Sequence, residues 1–194
     1  IFYSNFLLTY FLIVLGTLSL VEFSKIVKKI IKNKVKLFFA NFIFVIYIFI
    51  FCIIFSYFSN YLQLKLLLFL ILIGCISSDI GGFVIGKLVK GPKLTRISPN
   101  KTISGSIGSV LFTIVIYSSF IYYLTNNVSF KTFFIAILIS IACQAGDLFF
   151  SLLKRKAKIK DTGNFLPGHG GIIDRLDGIY LGIPVGLLST IIIY

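Results

Sequence analysis

Two apolar stretches joined by a basic loop decide the fold of this chain. Residues 66–85 read LLLFLILIGCISSDIGGFVI, residues 86–106 read GKLVKGPKLTRISPNKTISGS, and residues 107–125 read IGSVLFTIVIYSSFIYYLT. Each apolar stretch is close to the roughly 20 residues with which a helix crosses the hydrocarbon core of a bilayer. Neither stretch alternates with a period of two, so transmembrane helices rather than the strands of a barrel are expected.

The composition of the whole chain supports a membrane protein. Of 194 residues, 58% are hydrophobic and 13% are charged, and the mean hydropathy is +1.03. A soluble domain has about 25% charged residues, and a disordered chain has few aromatic residues. We therefore predict an all-α, polytopic integral membrane protein, with residues 1–194 as a single transmembrane domain. About six transmembrane helices are expected, over residues 1–23, 37–58, 66–85, 107–125, 132–153 and 179–194.

The basic residues predict the orientation of these helices. Residues 24–36, 87–106 and 154–175 hold six, five and six of the 19 lysines and arginines. Threading six spans through a membrane places all three clusters on one side and the isolated Lys65 and Lys131 on the other. Because cytoplasmic loops are enriched in basic residues, the clustered side is predicted to be cytoplasmic. The chain contains no methionine, so its N-terminus is expected to be trimmed or to continue upstream in a longer protein.

Five of the six acidic residues are aspartates in the second part of the chain. Asp79 and Asp147 fall within apolar spans, where an aspartate costs about 2.5 to 3.5 kcal/mol at the helix centre and needs a partner. That partner is either a functional ligand, or a buried ion pair or packing hydrogen bond. Asp174 and Asp177 are three residues apart, so a helix would place them on one face, where a shared cation would offset their repulsion. Hard oxygen ligands without cysteine or a second histidine favour magnesium over zinc.

Two segments have the residue types that bind phosphate. Gly170 and Gly171 follow Pro167 and His169, and their backbone amides can form an anion nest, although an ordinary turn explains the glycines equally well. Ser98, Lys101 and Thr102 precede a predicted helix start, which is a common phosphate site. A basic loop of this kind also serves orientation or contacts with anionic lipid. The three cysteines lie inside apolar runs and are interpreted as packing residues.

Residues 151–177, which read SLLKRKAKIKDTGNFLPGHGGIIDRLD, closely resemble the signature of the phosphatidate cytidylyltransferases, also called CDP-diglyceride synthetases. The resemblance extends back to residues 144–148 (QAGDL), to residues 98–102 (SPNKT) and to Asp79. It covers residues 66–194 as a catalytic core, whereas residues 1–65 match only in being hydrophobic.

The resemblance implies an integral membrane enzyme of phospholipid biosynthesis that condenses CTP with phosphatidic acid to give CDP-diacylglycerol and pyrophosphate, with Mg²⁺ required. It implies a multi-pass protein of the bacterial inner (plasma) membrane with its active site facing the cytoplasm. The partners are then CTP, phosphatidic acid and the lipid bilayer, with no nucleic acid, and a homodimer is left open. By position in the motif, the implied metal ligands are Asp147, Asp174 and Asp177; the further catalytic residues are Lys154, Arg155 and His169; and the substrate-binding residues are Ser98, Lys101, Thr102, Lys160, Asp161, Gly170, Gly171 and Arg175.

Two positions depart from the family pattern, and two other functions compete with this one. Phe150 and Ser104 stand where many relatives have an acidic or amide side chain, so activity is weaker or rearranged if those groups serve the metal site.

A CTP-dependent lipid kinase would also need basic loops and intramembrane carboxylates. A membrane transporter could use Asp79 and Asp147 as ion or proton sites, but the polar residues gather toward one face of the membrane.

Overall fold

The computed structural model describes residues 2–95, 97–99, 101–163 and 170–193, with no side-chain description for residues 2–5. Across these ranges the regular elements are helices, without a β-strand, and an isolated bridge joins Lys93 and Thr102. The helices are α1 (Phe2–Ile30), α2 (Lys34–Ser59), α3 (Leu62–Val89), α4 (Ile103–Thr125), α5 (Phe130–Lys156) and α6 (Ile173–Ile193). Each contains a segment long and apolar enough to span a membrane. The prediction of an all-α, polytopic membrane protein is confirmed.

The helices are longer than the apolar runs that predict them. α1 continues past residue 23 to Ile30, and α6 begins at Ile173 rather than at residue 179. Lysine side chains at a helix end can keep their ammonium groups in water while their stems lie along apolar surface, so the basic clusters do not end the helices. The side chain of Asn33 accepts hydrogen bonds from the backbone N–H groups of Val35 and Lys36 and thereby caps α2.

One compact unit consists of Ile1–Lys65 and Phe150–Leu176. In its core the rings of Phe23 and Phe44 stack with centroids 3.8 Å apart. Phe150 is buried and packs edge-on against Phe44, with ring centroids 6.4 Å apart. Phe150 therefore fills a site in the core of its own unit.

The other compact unit consists of Leu66–Phe149 and Asp177–Tyr194. Its core includes the fully buried side chains of Ile71, Tyr117 and Ile139. α3 and α4 approach closely at Gly81, where an added Cβ atom would lie 2.6 Å from the carbonyl oxygen of Gly108. Small residues at such a crossing let two helix backbones meet, as is common in membranes. The boundary between a poorly matched segment 1–65 and a core 66–194 within one domain stays a prediction.

Large apolar side chains are exposed along the helices. On α2, Phe38, Phe42 and Phe49 are each between 51% and 65% exposed. Soluble proteins rarely leave so much contiguous apolar surface uncovered. Such a surface suits a helix that faces lipid hydrocarbon, in agreement with the membrane assignment.

Candidate functional site

The start of α6 carries a cluster of hydrogen-bonded polar side chains that is centred on Asp174. The ammonium Nζ of Lys154 lies 2.6 Å from Asp174 Oδ1, and both side chains are largely buried. The backbone N–H groups of Thr162 and Gly171 donate to Asp174 Oδ2, at 2.8 and 3.1 Å. The structure thus brings together Asp174, Lys154 and Gly171, three of the predicted site residues. Together with Glu22 and Thr162 they form what we call the α6-start cluster.

Glu22, like Thr162, is a residue of this cluster for which the sequence predicts no role. It lies in α1, is only 5% exposed, and accepts hydrogen bonds from the backbone N–H groups of Ile172 and Ile173, both at 3.0 Å. The hydroxyl of Thr162 lies 2.8 Å from Glu22 Oε2 and 3.0 Å from Asp174 Oδ2, so its single proton can serve either carboxylate. The first N–H groups of a helix have no partner within the helix. A carboxylate placed there satisfies them and interacts favourably with the helix dipole. Glu22 therefore caps α6 from a distant part of the chain.

Gly171 has little space around its Cα atom. A Cβ atom added there would overlap the Thr162 hydroxyl and would lie 2.6 Å from Glu22 Oε2. The absence of a side chain at Gly171 thus leaves room for the Thr162 hydroxyl and the Glu22 carboxylate. Since the Gly171 N–H donates to Asp174, this amide already has a partner within the protein. Phosphate binding by Gly170 and Gly171 stays a prediction.

A second cluster lies in the other unit, at the start of α4. Lys101 and Asp147 form an ion pair whose side chains are 26% and 29% exposed. Asp79, on α3, interacts electrostatically with both of these charges. From the sequence, phosphate binding is predicted for Lys101 and metal binding for Asp147; the structure shows that the two residues contact one another. We call Lys101, Asp147 and Asp79 the α4-start cluster.

The loop that carries Lys101 is held by its own hydrogen bonds. Thr102 caps α4 by accepting from the N–H of Gly105 at 3.1 Å. The backbone N–H of Leu94 donates to the carbonyl of Lys101 at 2.7 Å, and that of Lys101 donates to Ser98 at 3.1 Å. The hydroxyl of Ser104 donates to the backbone carbonyl of Lys90 and so fastens the loop. Lys101 is therefore presented from an ordered turn.

The other predicted site residues are placed as follows. Lys160 and Asp161 are exposed in the segment after α5, Arg155 is exposed near the end of α5, and Arg175 is exposed on α6. Asp177, on α6, accepts the N–H of Gly178 at 2.9 Å. His169 lies outside the described residues. Within the described ranges no three His, Cys, Asp or Glu side chains are grouped closely enough to hold a metal ion. The magnesium site with Asp147, Asp174 and Asp177 as ligands stays a prediction.

Comparison with known proteins places this chain in a family. A model described as the cytidylyltransferase family matches residues 1–192. A phosphatidate cytidylyltransferase of Rickettsia felis is 40% identical over an alignment of 130 residues that covers 61% of this chain and 56% of the relative. Those of Helicobacter pylori and Mycobacterium leprae are 40% and 38% identical over 112 residues, which cover 58% and 57% of this chain and 42% and 36% of the relatives. The chain thus spans about half or less of the length of these curated relatives.

Proposed function

We propose that this chain, which belongs to the cytidylyltransferase family, transfers the cytidylyl group of CTP to phosphatidic acid, giving CDP-diacylglycerol and pyrophosphate. The names of the similar proteins support this reaction. The observation that carries the proposal is the contact between Lys154 and Asp174, because two motif residues 20 positions apart form one buried pair at the start of α6.

The reaction needs positioning and positive charge more than covalent help. An oxygen of the phosphatidate phosphate attacks the α-phosphorus of CTP, the bond between that phosphorus and the bridging oxygen to the β-phosphate breaks, and pyrophosphate leaves. Both reactants are anions, and negative charge builds on the departing group. Cationic side chains that are fixed in advance stabilise such a transition state without reorganisation.

Within the part of the chain that the structure describes, Lys154 and Lys101 are two cations that ion pairs hold in place. Lys154 is restrained by Asp174, and Lys101 is restrained by Asp147. A free lysine side chain has about 2 kcal/mol of rotamer entropy to lose. Because an aspartate already restrains each ammonium group, less of this entropy is lost when a phosphate binds. We assign both lysines to phosphate contacts.

Mg²⁺ is the metal we propose, with the carboxylates of Asp147, Asp174 and Asp177 as its ligands. A carboxylate has about four acceptor positions. On Asp174 the three N–H donors are Lys154 on Oδ1 and Thr162 and Gly171 on Oδ2, so Oδ1 keeps acceptor capacity for a cation. Hard oxygen donors of this kind suit Mg²⁺. When bound, the ion supplies charge neutralisation for phosphate oxygens.

The proposed location is the bacterial plasma membrane, with the site facing the cytoplasm, where CTP is available. The positive-inside rule supports this orientation, because the basic clusters at residues 24–36, 87–106 and 154–175 are predicted on one side. Further contacts for the substrate phosphates are proposed for Arg155, Lys160, His169 and Arg175. Asp161 is proposed to support the site, by binding the metal indirectly or by holding a basic side chain in place. A homodimer stays an open prediction.

The test is conversion of CTP and phosphatidic acid to CDP-diacylglycerol by the purified chain in detergent with Mg²⁺. Asp174→Asn and Lys154→Gln are each expected to lower kcat by at least about 100-fold, as loss of a preorganised charge does in other enzymes. Lys65→Gln removes an exposed lysine predicted on the opposite side of the membrane, and it should change kcat less than twofold. Retained activity in both site variants would contradict the proposal.

A further inference from the structure

A cavity of about 440 Å³ opens beside the α6-start cluster, within the unit formed by Ile1–Lys65 and Phe150–Leu176. One wall is the last part of α1, and the other is the segment after α5. The lining residues are Lys25, Ile26, Lys28, Lys29, Ile159, Asp161 and Thr162. None of the three lysines belongs to the motifs that carry the family resemblance. The lysine wall of this cavity therefore has no role in the motifs that carry the family resemblance.

The three lysines form a cationic face. Residues at positions i, i+3 and i+4 of a helix lie on the same side, so Lys25, Lys28 and Lys29 project together from α1. The ion pairs of Lys101 with Asp147 and of Lys154 with Asp174 do not include these lysines, and within the described residues the three ammonium groups have no carboxylate at ion-pair distance. With Asp161 as the one acidic group of the lining, positive charges outnumber negative ones by three to one.

Thr162 connects this cavity to the carboxylate of the proposed reaction. It lines the cavity, and its backbone N–H donates to Asp174 Oδ2 at 2.8 Å. An anion that occupies the cavity is thus separated from the Lys154–Asp174 pair by a single residue. The floor is Ile26, which is 1% exposed and belongs to the core, so the cationic face rests on a rigid base.

We propose that this cavity binds a phosphoryl group of the substrates, with Lys25, Lys28 and Lys29 as its cationic wall. The proposal rests on the proposed function and extends it to α1. A terminal phosphate carries about 1.5 to 2 negative charges near neutral pH and has three acceptor oxygens, which three ammonium groups can serve. Two sources have this chemistry: the triphosphate of CTP and the phosphomonoester of phosphatidic acid. The match of the family model over residues 1–192 agrees with a role for α1.

The experiment compares two triple variants that remove the same charge from the same basic cluster. In the cavity variant, Lys25, Lys28 and Lys29 are replaced by Gln. In the matched control, Lys32, Lys34 and Lys36, which are also exposed, are replaced by Gln. The KM for CTP and the KM for phosphatidic acid are measured at saturating concentrations of the other substrate, and circular dichroism verifies the fold.

The cavity variant is expected to raise one of the two KM values by about tenfold or more, while the control stays within about twofold. A rise in the KM for CTP, with weaker inhibition by inorganic pyrophosphate, identifies the nucleotide as the source. A rise confined to phosphatidic acid identifies the lipid. Equal effects in both triple variants indicate general surface charge and overturn the proposal, as does an unchanged cavity variant.

A binding measurement separates this proposal from the proposed function. Inorganic pyrophosphate is equilibrated with the full chain in detergent, and the bound fraction is determined by dialysis. If the chain makes no CDP-diacylglycerol, the proposed function fails, and the cavity is then tested by pyrophosphate alone. About tenfold weaker binding in the cavity variant than in the control variant supports the phosphate site. When the chain makes no CDP-diacylglycerol, equal pyrophosphate binding by the two variants overturns it.

Discussion

Replacement of Glu22 should destabilise the protein although it lies far in sequence from the signature. In Glu22→Ala the N–H groups of Ile172 and Ile173 lose their acceptor, and these two residues are 4% and 0% exposed. A buried donor without a partner costs about 1 to 3 kcal/mol. Loss of the charge at the helix start adds about 0.3 to 1 kcal/mol. With two such donors, we therefore expect a loss of about 2 to 7 kcal/mol in the free energy of unfolding.

Glu22→Gln provides an intermediate case. Its carbonyl keeps one acceptor for Ile172 or Ile173, but its amide group faces donors and its charge is gone. The expected loss is about 1.5 to 3 kcal/mol, the range for a hydrogen bond to a charged group.

The assay is equilibrium unfolding in mixed micelles, with helicity followed by circular dichroism as the SDS fraction is raised. Asp161→Asn is the control, since it removes one negative charge from an exposed residue and should change stability by less than about 0.5 kcal/mol. If Glu22→Ala shifts the unfolding free energy no more than this control does, the capping role of Glu22 is wrong.

Three further outcomes are expected. Gly171→Ala should destabilise the chain by about 1 to 3 kcal/mol, because the new methyl group overlaps the Thr162 hydroxyl and Glu22, and the same unfolding assay measures it. Phe150→Glu should lower the yield of folded protein, because the carboxylate would be buried beside Phe44, whereas Phe150→Leu should cost less than about 1.5 kcal/mol. Equal yields of the two variants would contradict the core placement of Phe150. Chelation of Mg²⁺ should abolish product formation, and added Mg²⁺ should restore it; full activity in the chelator would contradict the proposed metal.

The transmembrane helices could be predicted from the sequence, because apolar length alone sets them. The start of α6 could not: Asp174, Arg175 and Asp177 interrupt the apolar run, so hydropathy places the start at residue 179 rather than at Ile173. The Glu22 carboxylate stabilises the longer helix, because it accepts hydrogen bonds from the backbone N–H groups of Ile172 and Ile173. That contact joins positions 150 and 151 residues apart, and no local spacing pattern contains it.

The candidate site shows the same division between local and distant information. Motif spacing selected Lys154 and Asp174, and the structure joins them. Lys101 and Asp147 were also selected, but for separate roles, and their ion pair depends on how α5 packs near the start of α4 in their unit. The lysines of α1 were interpreted only as orientation signals. Their position on a cavity wall could not be predicted, because the cavity forms only where the segment after α5 packs beside the end of α1.

The central claim is tested most directly by following the phosphate groups of CTP into lipid. The purified chain is given phosphatidic acid, Mg²⁺ and CTP that carries radioactive phosphorus either at the α-position or at the γ-position, and lipid and aqueous phases are separated. Our account predicts label in the lipid from α-labelled CTP only, with γ-label released as pyrophosphate, and loss of lipid label in Asp174→Asn. Lipid label from γ-labelled CTP would identify a lipid kinase and contradict the account, as would the absence of lipid label from both.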